Sequence, residues 1–274
     1  MRHISRTELG TIIDNILGER LPNCGPQALF TESLTPKYKI GSRLVSPGGL
    51  VWHYARGGAT GITATYRRRG AASTIPGLSV TNFVTIGITP IGGTTVVIND
   101  TAAVGVHPAD YWANGEADIF PTAPDYSNDQ SRIVKSSTPS NGVSVTLTLY
   151  QPVYYAIPNA ADVYMCPSPY MSVDEAVSVP TGDCSIVGFS WMPVTPLYYF
   201  WCQTWGLCQP VGTGGDMGIA AGSREIVFNY GDGTIRSAVA GGAYGTHQRA
   251  GYLVPRTILA GGGDEAYIML QLDP

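Results

Sequence analysis

The sequence predicts a mainly β protein, an antiparallel β-barrel or sandwich of one or two lobes, with a short N-terminal amphipathic helix. Three observations predict it. Glycine and proline are abundant, 34 and 20 of 274 residues, which suits tight turns between short strands. Charged residues make up only 13%, about half the roughly 25% of ordinary soluble proteins, too few to solvate long helices. Apolar residues alternate with Ser and Thr, above all in Val143-Ser144-Val145-Thr146-Leu147-Thr148-Leu149-Tyr150, the signature of a strand with one dry face.

The helix comes first. Ser5 and Glu8 form a capping-box pair, and Leu9, Ile12, Ile13, Ile16 and Leu17 then recur on one face. Gly18 ends the pattern, and Leu21-Pro22-Asn23-Cys24-Gly25-Pro26 forbids its resumption. A lone amphipathic helix ahead of a β chain must cover something: one end of its own core, or a neighbouring subunit. The stripe Leu9, Ile12, Ile13 and Ile16 is therefore a candidate contact surface.

From Lys37 onward the pattern turns to short strands. Tyr38 to Val45 and Leu50 to Ala55 flank Ser46-Pro47-Gly48-Gly49, and Val80 to Ile88 and Thr94 to Ile98 flank Thr89-Pro90-Ile91-Gly92-Gly93, two hairpin-like connections. Asn99 to Ser131 reads as loop-rich, with short strands near Ala103 to Val106 and Ala117 to Phe120. Strands are expected at Asp162 to Cys166, Ser185 to Phe189 and Leu197 to Thr204. Arg224 to Tyr230 and Thr234 to Val239 flank an Asp-Gly turn, and Glu265 to Leu272 closes the chain as a strand tied into a sheet. The organisation expected is a helix and arm over 1–30, a first β lobe over 31–135 and a second over 136–274.

Tyr198-Tyr199-Phe200-Trp201-Cys202-Gln203-Thr204-Trp205-Gly206 is the densest apolar signal, five of nine residues being aromatic, and reads as a buried or interface strand. Tyr154, Tyr155, Tyr198, Tyr199 and Trp205 would suit a sugar-stacking platform. Packing is the preferred reading, because no acids or amides cluster with them in sequence.

Charge and cysteine usage narrow the function. A net charge of −4 argues against a nucleic-acid partner, with Arg67-Arg68-Arg69 the one basic run; it could meet phosphate, but a solvated or acidic-protein-facing loop is the preferred reading. No apolar run approaches the roughly 20 residues that span a bilayer, and the first residues lack a secretory pattern, so no membrane partner is expected and folding in a cytoplasm is. The five cysteines are odd in number and widely spaced, which reads as reduced thiols. His53, His107 and His247 with Asp110 and Asp118 are the nearest approach to a metal or acid–base set, but none stands at a ligand spacing. The glycine-rich Gly212 to Gly218 lacks the Gly-Lys-Ser/Thr ending of a phosphate loop. The chain is expected to be non-enzymatic and to carry no cofactor.

Four blocks in succession carry a family resemblance: Lys39-Ile40-Gly41-Ser42-Arg43-Leu44 with Leu50-Val51-Trp52-His53-Tyr54-Ala55; His107-Pro108-Ala109-Asp110-Tyr111-Trp112-Ala113-Asn114-Gly115 with Arg132-Ile133-Val134-Lys135-Ser136; Val145-Thr146-Leu147-Thr148-Leu149-Tyr150-Gln151-Pro152 with Met165-Cys166-Pro167-Ser168-Pro169-Tyr170; and Tyr199-Phe200-Trp201-Cys202-Gln203-Thr204-Trp205-Gly206. Over residues 37 to 210 this order resembles tailed-bacteriophage virion proteins of the auxiliary or decoration type, associated with the head. The resemblance implies a structural role in the virion, with the major capsid protein and further copies of the chain as partners. It implies no catalytic residue. In that setting Leu9, Ile12, Ile13 and Ile16, and more weakly Arg67, Arg68 and Arg69, are the expected capsid contacts. Two other readings stand beside it: a tail or head-fibre β module binding host carbohydrate or receptor, and a β-fold hydrolase with a metal on His53, His107 or His247.

Overall fold

The computed structural model describes residues 27–46, 48–62, 70–73, 83–100, 107–121, 128–176, 185–210, 212, 224–228, 233–238, 247–254 and 267–272. They form mainly antiparallel β structure in two units, one of Met1–Tyr38, Ser42–Thr74 and Ser172–Pro274, the other of Lys39–Gly41 and Ile75–Met171. The N-terminal helix expected over residues 5–17, with its stripe Leu9, Ile12, Ile13 and Ile16, lies outside the described residues, as do Arg67, Arg68 and Arg69.

In chain order the strands are β1 (Arg43–Val45), β2 (Val51–Arg56) and β3 (Gly70–Ser73), then β4 (Phe83–Val84), β5 (Thr95–Asn99), β6 (Glu116–Phe120), β7 (Gln130–Ser137), β8 (Ser144–Leu149) and β9 (Asp162–Cys166). There follow β10 (Val173–Glu175), β11 (Ile186–Ser190), β12 (Tyr199–Cys208), β13 (Glu225–Phe228), β14 (Ile235–Ser237), β15 (Arg249–Leu253) and β16 (Ile268–Gln271). The second unit thus interrupts the first. The expected boundary at 135/136 falls inside β7, which pairs with β6 on one side and β8 on the other. It could not be read as a strand because its inward positions include Gln130 and Arg132, so the apolar alternation is broken.

The second unit is a six-stranded sheet in the order β4-β9-β6-β7-β8-β5. Thr85 bridges Ile98, and the Ile86 amide donates to the Val97 carbonyl at 2.8 Å, which brings β4 onto β5 and rolls the sheet into a ring. This near closure leaves little of the exposed edge that an open sheet would have. The alternation is plain in β8, where Val145, Leu147 and Leu149 face inward and Ser144, Thr146 and Thr148 outward. With Val96, Ile98, Ala117, Ile119, Val134 and Val163 they fill the interior.

The first unit is a ten-stranded sheet ordered β10-β3-β11-β12-β16-β15-β13-β14, with β2 added on β12 and β1 on β2. Its long strand β12 pairs with β2 over Tyr199–Trp205, with β11 at Cys202 and Gln203, and with β16 over Trp205–Cys208. This is the aromatic stretch singled out by sequence, and Phe200, Trp201, Cys202, Gln203 and Thr204 are all buried. The segment from Gln27 to Tyr38 lies over it. Trp201 Nε1 donates to the Gln27 carbonyl at 3.2 Å, Tyr54 Oη donates to Gln27 Oε1 at 2.6 Å, and Tyr38 packs on both Tyr54 and Trp201 at 5.2 and 5.0 Å. Ile226, Phe228, Ile235, Ala250, Ile268 and Leu270 build a separate core farther along the sheet. The marginal strands β1, β10 and β14 are three residues each, too short to recruit another strand readily.

Candidate docking surface

Among the described residues no group of three or more His, Cys, Asp and Glu side chains converges to hold a metal ion. The histidines grouped by sequence separate: His107 belongs to the inserted barrel, His53 and His247 to the other unit. His107 pairs not with Asp110 but with the fully buried Asp100, Nδ1 to Oδ2 at 3.1 Å, and its ring packs on Tyr111 and Trp112 at 4.1 and 5.2 Å. Asp110 accepts instead from the Ser137 amide. Sequence spacing could not supply this pairing, since Asp100 directly follows β5 and His107 comes later in the connection to β6. Among the described cysteines, Cys166 is partly exposed and Cys202 is buried, both as free thiols.

The described aromatics of the supposed platform also divide. Tyr198, Tyr199 and Trp205 are partly buried on the larger sheet, whereas Tyr154 and Tyr155 stand exposed on the barrel. The latter pair mark the most distinctive surface of the barrel, built as follows.

Strand β4 runs into the connection 85–94 and back through β5, and β8 runs into 150–161 and back through β9. Because these strands are antiparallel, both connections cap the same end, opposite the one where the chain enters β4 and leaves β9. Reciprocal hydrogen bonds zip them together. Thr89 and Ile157 exchange amide-to-carbonyl bonds at 2.9 and 2.8 Å, the Gly92 amide donates to the Val153 carbonyl, and the Val153 amide donates to the Gly93 carbonyl, both at 2.9 Å. Thr85 Oγ1 donates to the Pro158 carbonyl at 2.7 Å, and Asn159 Oδ1 accepts from the Gly87 amide at 2.8 Å. Gly87 and Gly92, at φ of 83°, make the reversals between them.

The zipped backbone turns Ile157 and Val153 inward and leaves Ile88, Ile91 and Tyr154 at 74, 69 and 64% exposure, with Ile86 and Tyr155 about half exposed. None of the 22 residues of 85–94 and 150–161 is Asp, Glu, Lys, Arg or His. A pair of loops that is charge-free, tyrosine-bearing and apolar has the composition of an interface centre rather than of ordinary surface.

Two buried polar side chains fix the tyrosine loop. Gln130 Oε1 accepts from the Tyr154 amide at 2.9 Å while its Nε2 donates to the Tyr155 carbonyl at 3.1 Å. Arg132 donates from Nε to the Pro152 carbonyl and from Nη2 to Gln130 Oε1, both at 3.0 Å, and its guanidinium lies 4.2 Å from the centre of the Tyr154 ring. The loop is thereby held before any partner arrives, which lowers the ordering cost of binding.

Sequence reading missed this surface, although a signal was present. Two isoleucines sit within the glycine–proline turn Gly87-Ile88-Thr89-Pro90-Ile91-Gly92, where polar residues are the rule, and Tyr154-Tyr155 lies between Pro152 and Pro158. Comparison of the chain with known protein families, with characterised proteins and with solved structures gives no match.

Proposed function

We propose that the chain is a non-enzymatic structural protein of a tailed-phage virion, which decorates or cements the capsid by binding the major capsid protein and neighbouring copies of itself. The observation that carries this reading is the barrel tip, where Ile88, Ile91 and Tyr154 are exposed on a rigid, charge-free pair of loops. A soluble particle gains nothing by displaying such a surface unless it is covered in an assembly. The succession of sequence blocks that resembles head-associated virion proteins supports the reading independently, and free thiols suit a protein that folds in a reducing host cytoplasm. Contact through side chains fits better than strand addition, since the six-stranded sheet is nearly closed and the marginal strands of the larger sheet are short.

The test is the copy number of this chain relative to the major capsid protein in purified particles, together with its location by electron microscopy. Stoichiometric density over the shell is expected. A few copies confined to the tail would replace this reading with the fibre or receptor-binding one, for which the exposed Tyr154 and Tyr155 would be the contact residues.

A further inference from the structure

We infer that the barrel tip docks onto a protein surface whose apolar centre is bordered by Lys and Arg side chains. The inference rests on the structural-protein reading above and adds the chemistry of the partner. It follows from how charge is distributed around the tip. The inserted unit carries seven carboxylates against three basic side chains, a formal charge of −4 that accounts for the whole chain's −4, because the other unit has thirteen of each sign. Of those three bases Arg132 is buried beneath Tyr154. Lys39 donates to the Lys135 carbonyl, beyond the midpoint of β7 and toward the end opposite the tip.

The acids are placed unevenly. The barrel wall formed by β6 and β9 presents Asp118, Asp162 and the exposed Glu116 outward, cross-strand neighbours of Tyr164, Phe120 and Cys166. Asp129, exposed ahead of β7, lies at the tip end. Asp162 is the member of the β6–β9 wall nearest the tip, whereas Glu116 and Cys166 pair at its opposite end, where the thiol is pushed above its ordinary range by burial and, after that, by Glu116 and Asp118. The wall formed by β5 and β8 presents Thr95, Val97, Asn99, Ser144, Thr146 and Thr148, and no charge at all. The docking surface is therefore an apolar tip with one acidic flank and one neutral hydroxyl flank.

A second copy docking tip to tip would set the same acids against each other, and an anionic membrane or a nucleic acid would meet the same repulsion. A basic-bordered protein patch satisfies both parts at once: its apolar centre covers the isoleucines and its cations approach the β6–β9 wall. Such a contact weakens as salt rises, whereas self-association of like-charged tips strengthens.

The experiment is co-sedimentation of the full-length chain with purified capsid shells stripped of it, at low and high sodium chloride. Wild type is expected to bind, with affinity falling at least about tenfold between roughly 50 and 500 mM salt. The double substitution Ile88→Asp with Ile91→Asp should lower binding by about tenfold or more, its circular dichroism unchanged because both side chains are exposed. Asp118→Lys with Asp162→Lys should lower binding and flatten the salt dependence. Binding that ignores the isoleucine and aspartate substitutions, or that strengthens with salt, overturns the inference and leaves the decoration reading standing. Shells that take up no wild-type chain at any salt overturn both. Tip-dependent dimers in sedimentation velocity, or flotation with anionic vesicles, would assign the tip to another partner and overturn the inference alone.

Discussion

Arg132 and Gln130 occupy inward positions at the mouth of a β-barrel, where an apolar pair would have closed the core more simply. Their polar atoms are engaged by the 152–155 backbone, by each other and by the Ser131 carbonyl, with the Tyr154 ring over the guanidinium. A hydrogen bond from a charged donor is worth roughly 1.5–3 kcal/mol, so this pair trades core hydrophobicity for a fixed loop. Lysine could not replace the arginine, because one ammonium cannot serve the fork and the ring together. Cys202, by contrast, is fully buried, and burial alone pushes its thiol far above the ordinary value of 9.0. The sign follows from which state holds the proton. Below about pH 9 both states keep it and nothing is lost. Above that, the unfolded chain releases it and the folded chain does not, so stability falls with a slope approaching about 1.4 kcal/mol per pH unit. Tyr199, also raised by burial with Arg56 opposing, acts in the same direction at higher pH. Urea unfolding at pH 7.5 and 10.5 should show this decline, and Cys202→Ala should reduce it. Equal stability at both pH values in the wild type would contradict the assignment.

At the scale of elements, pairing geometry places its demands on a few backbone positions. Gly251 in β15 has φ of 146°, beside the register shift between Ile226 and Val227 on β13. A Cβ there would stand 1.9 Å from the Met269 carbonyl oxygen on β16, so no side chain fits without separating the strands. Gly251→Ala should therefore cost more than about 2 kcal/mol, by strain and lost pairing together. Gly49→Ala, at φ of 76° but with nothing within 4 Å, should cost only about 1 kcal/mol. Denaturant midpoints of the two variants measure the difference, and equal losses would mean that backbone conformation alone is at issue. Elements were legible in the sequence where one period dominated. β8 was, because every second residue is Val or Leu. So were the aromatic β12 and the closing strand β16, which is indeed paired on both sides. β7 was not, since its buried residues include an arginine and a glutamine, and β3 and β15 were not, being short and rich in Gly and Ala. The docking loops escaped for a related reason: turn residues announce a loop, but which of its side chains point outward depends on a partner loop 60 residues away.

For the whole molecule, insertion of one β unit into another was hidden from the sequence because no linker of distinct composition marks the joints. Contacts between strands, not local composition, separate the units, and each has its own apolar core. The barrel interior is continuous from Val96 and Ile98 through Leu147 and Val163, while the larger sheet buries Phe228, Ile235, Ile268 and Leu270 elsewhere. Stability should follow that division. Leu147 is fully buried among barrel residues only, so Leu147→Ala removes contact area and leaves a cavity within one core, at a cost of about 2–5 kcal/mol to the barrel. Amide exchange followed by mass spectrometry should then accelerate in peptides covering β5 to β9 and stay unchanged in β11 to β16, because opening proceeds in cooperative units rather than uniformly. If peptides from both sheets accelerated together, the cores would be opening as one, and a docking tip carried by an independently stable barrel would lose its physical basis.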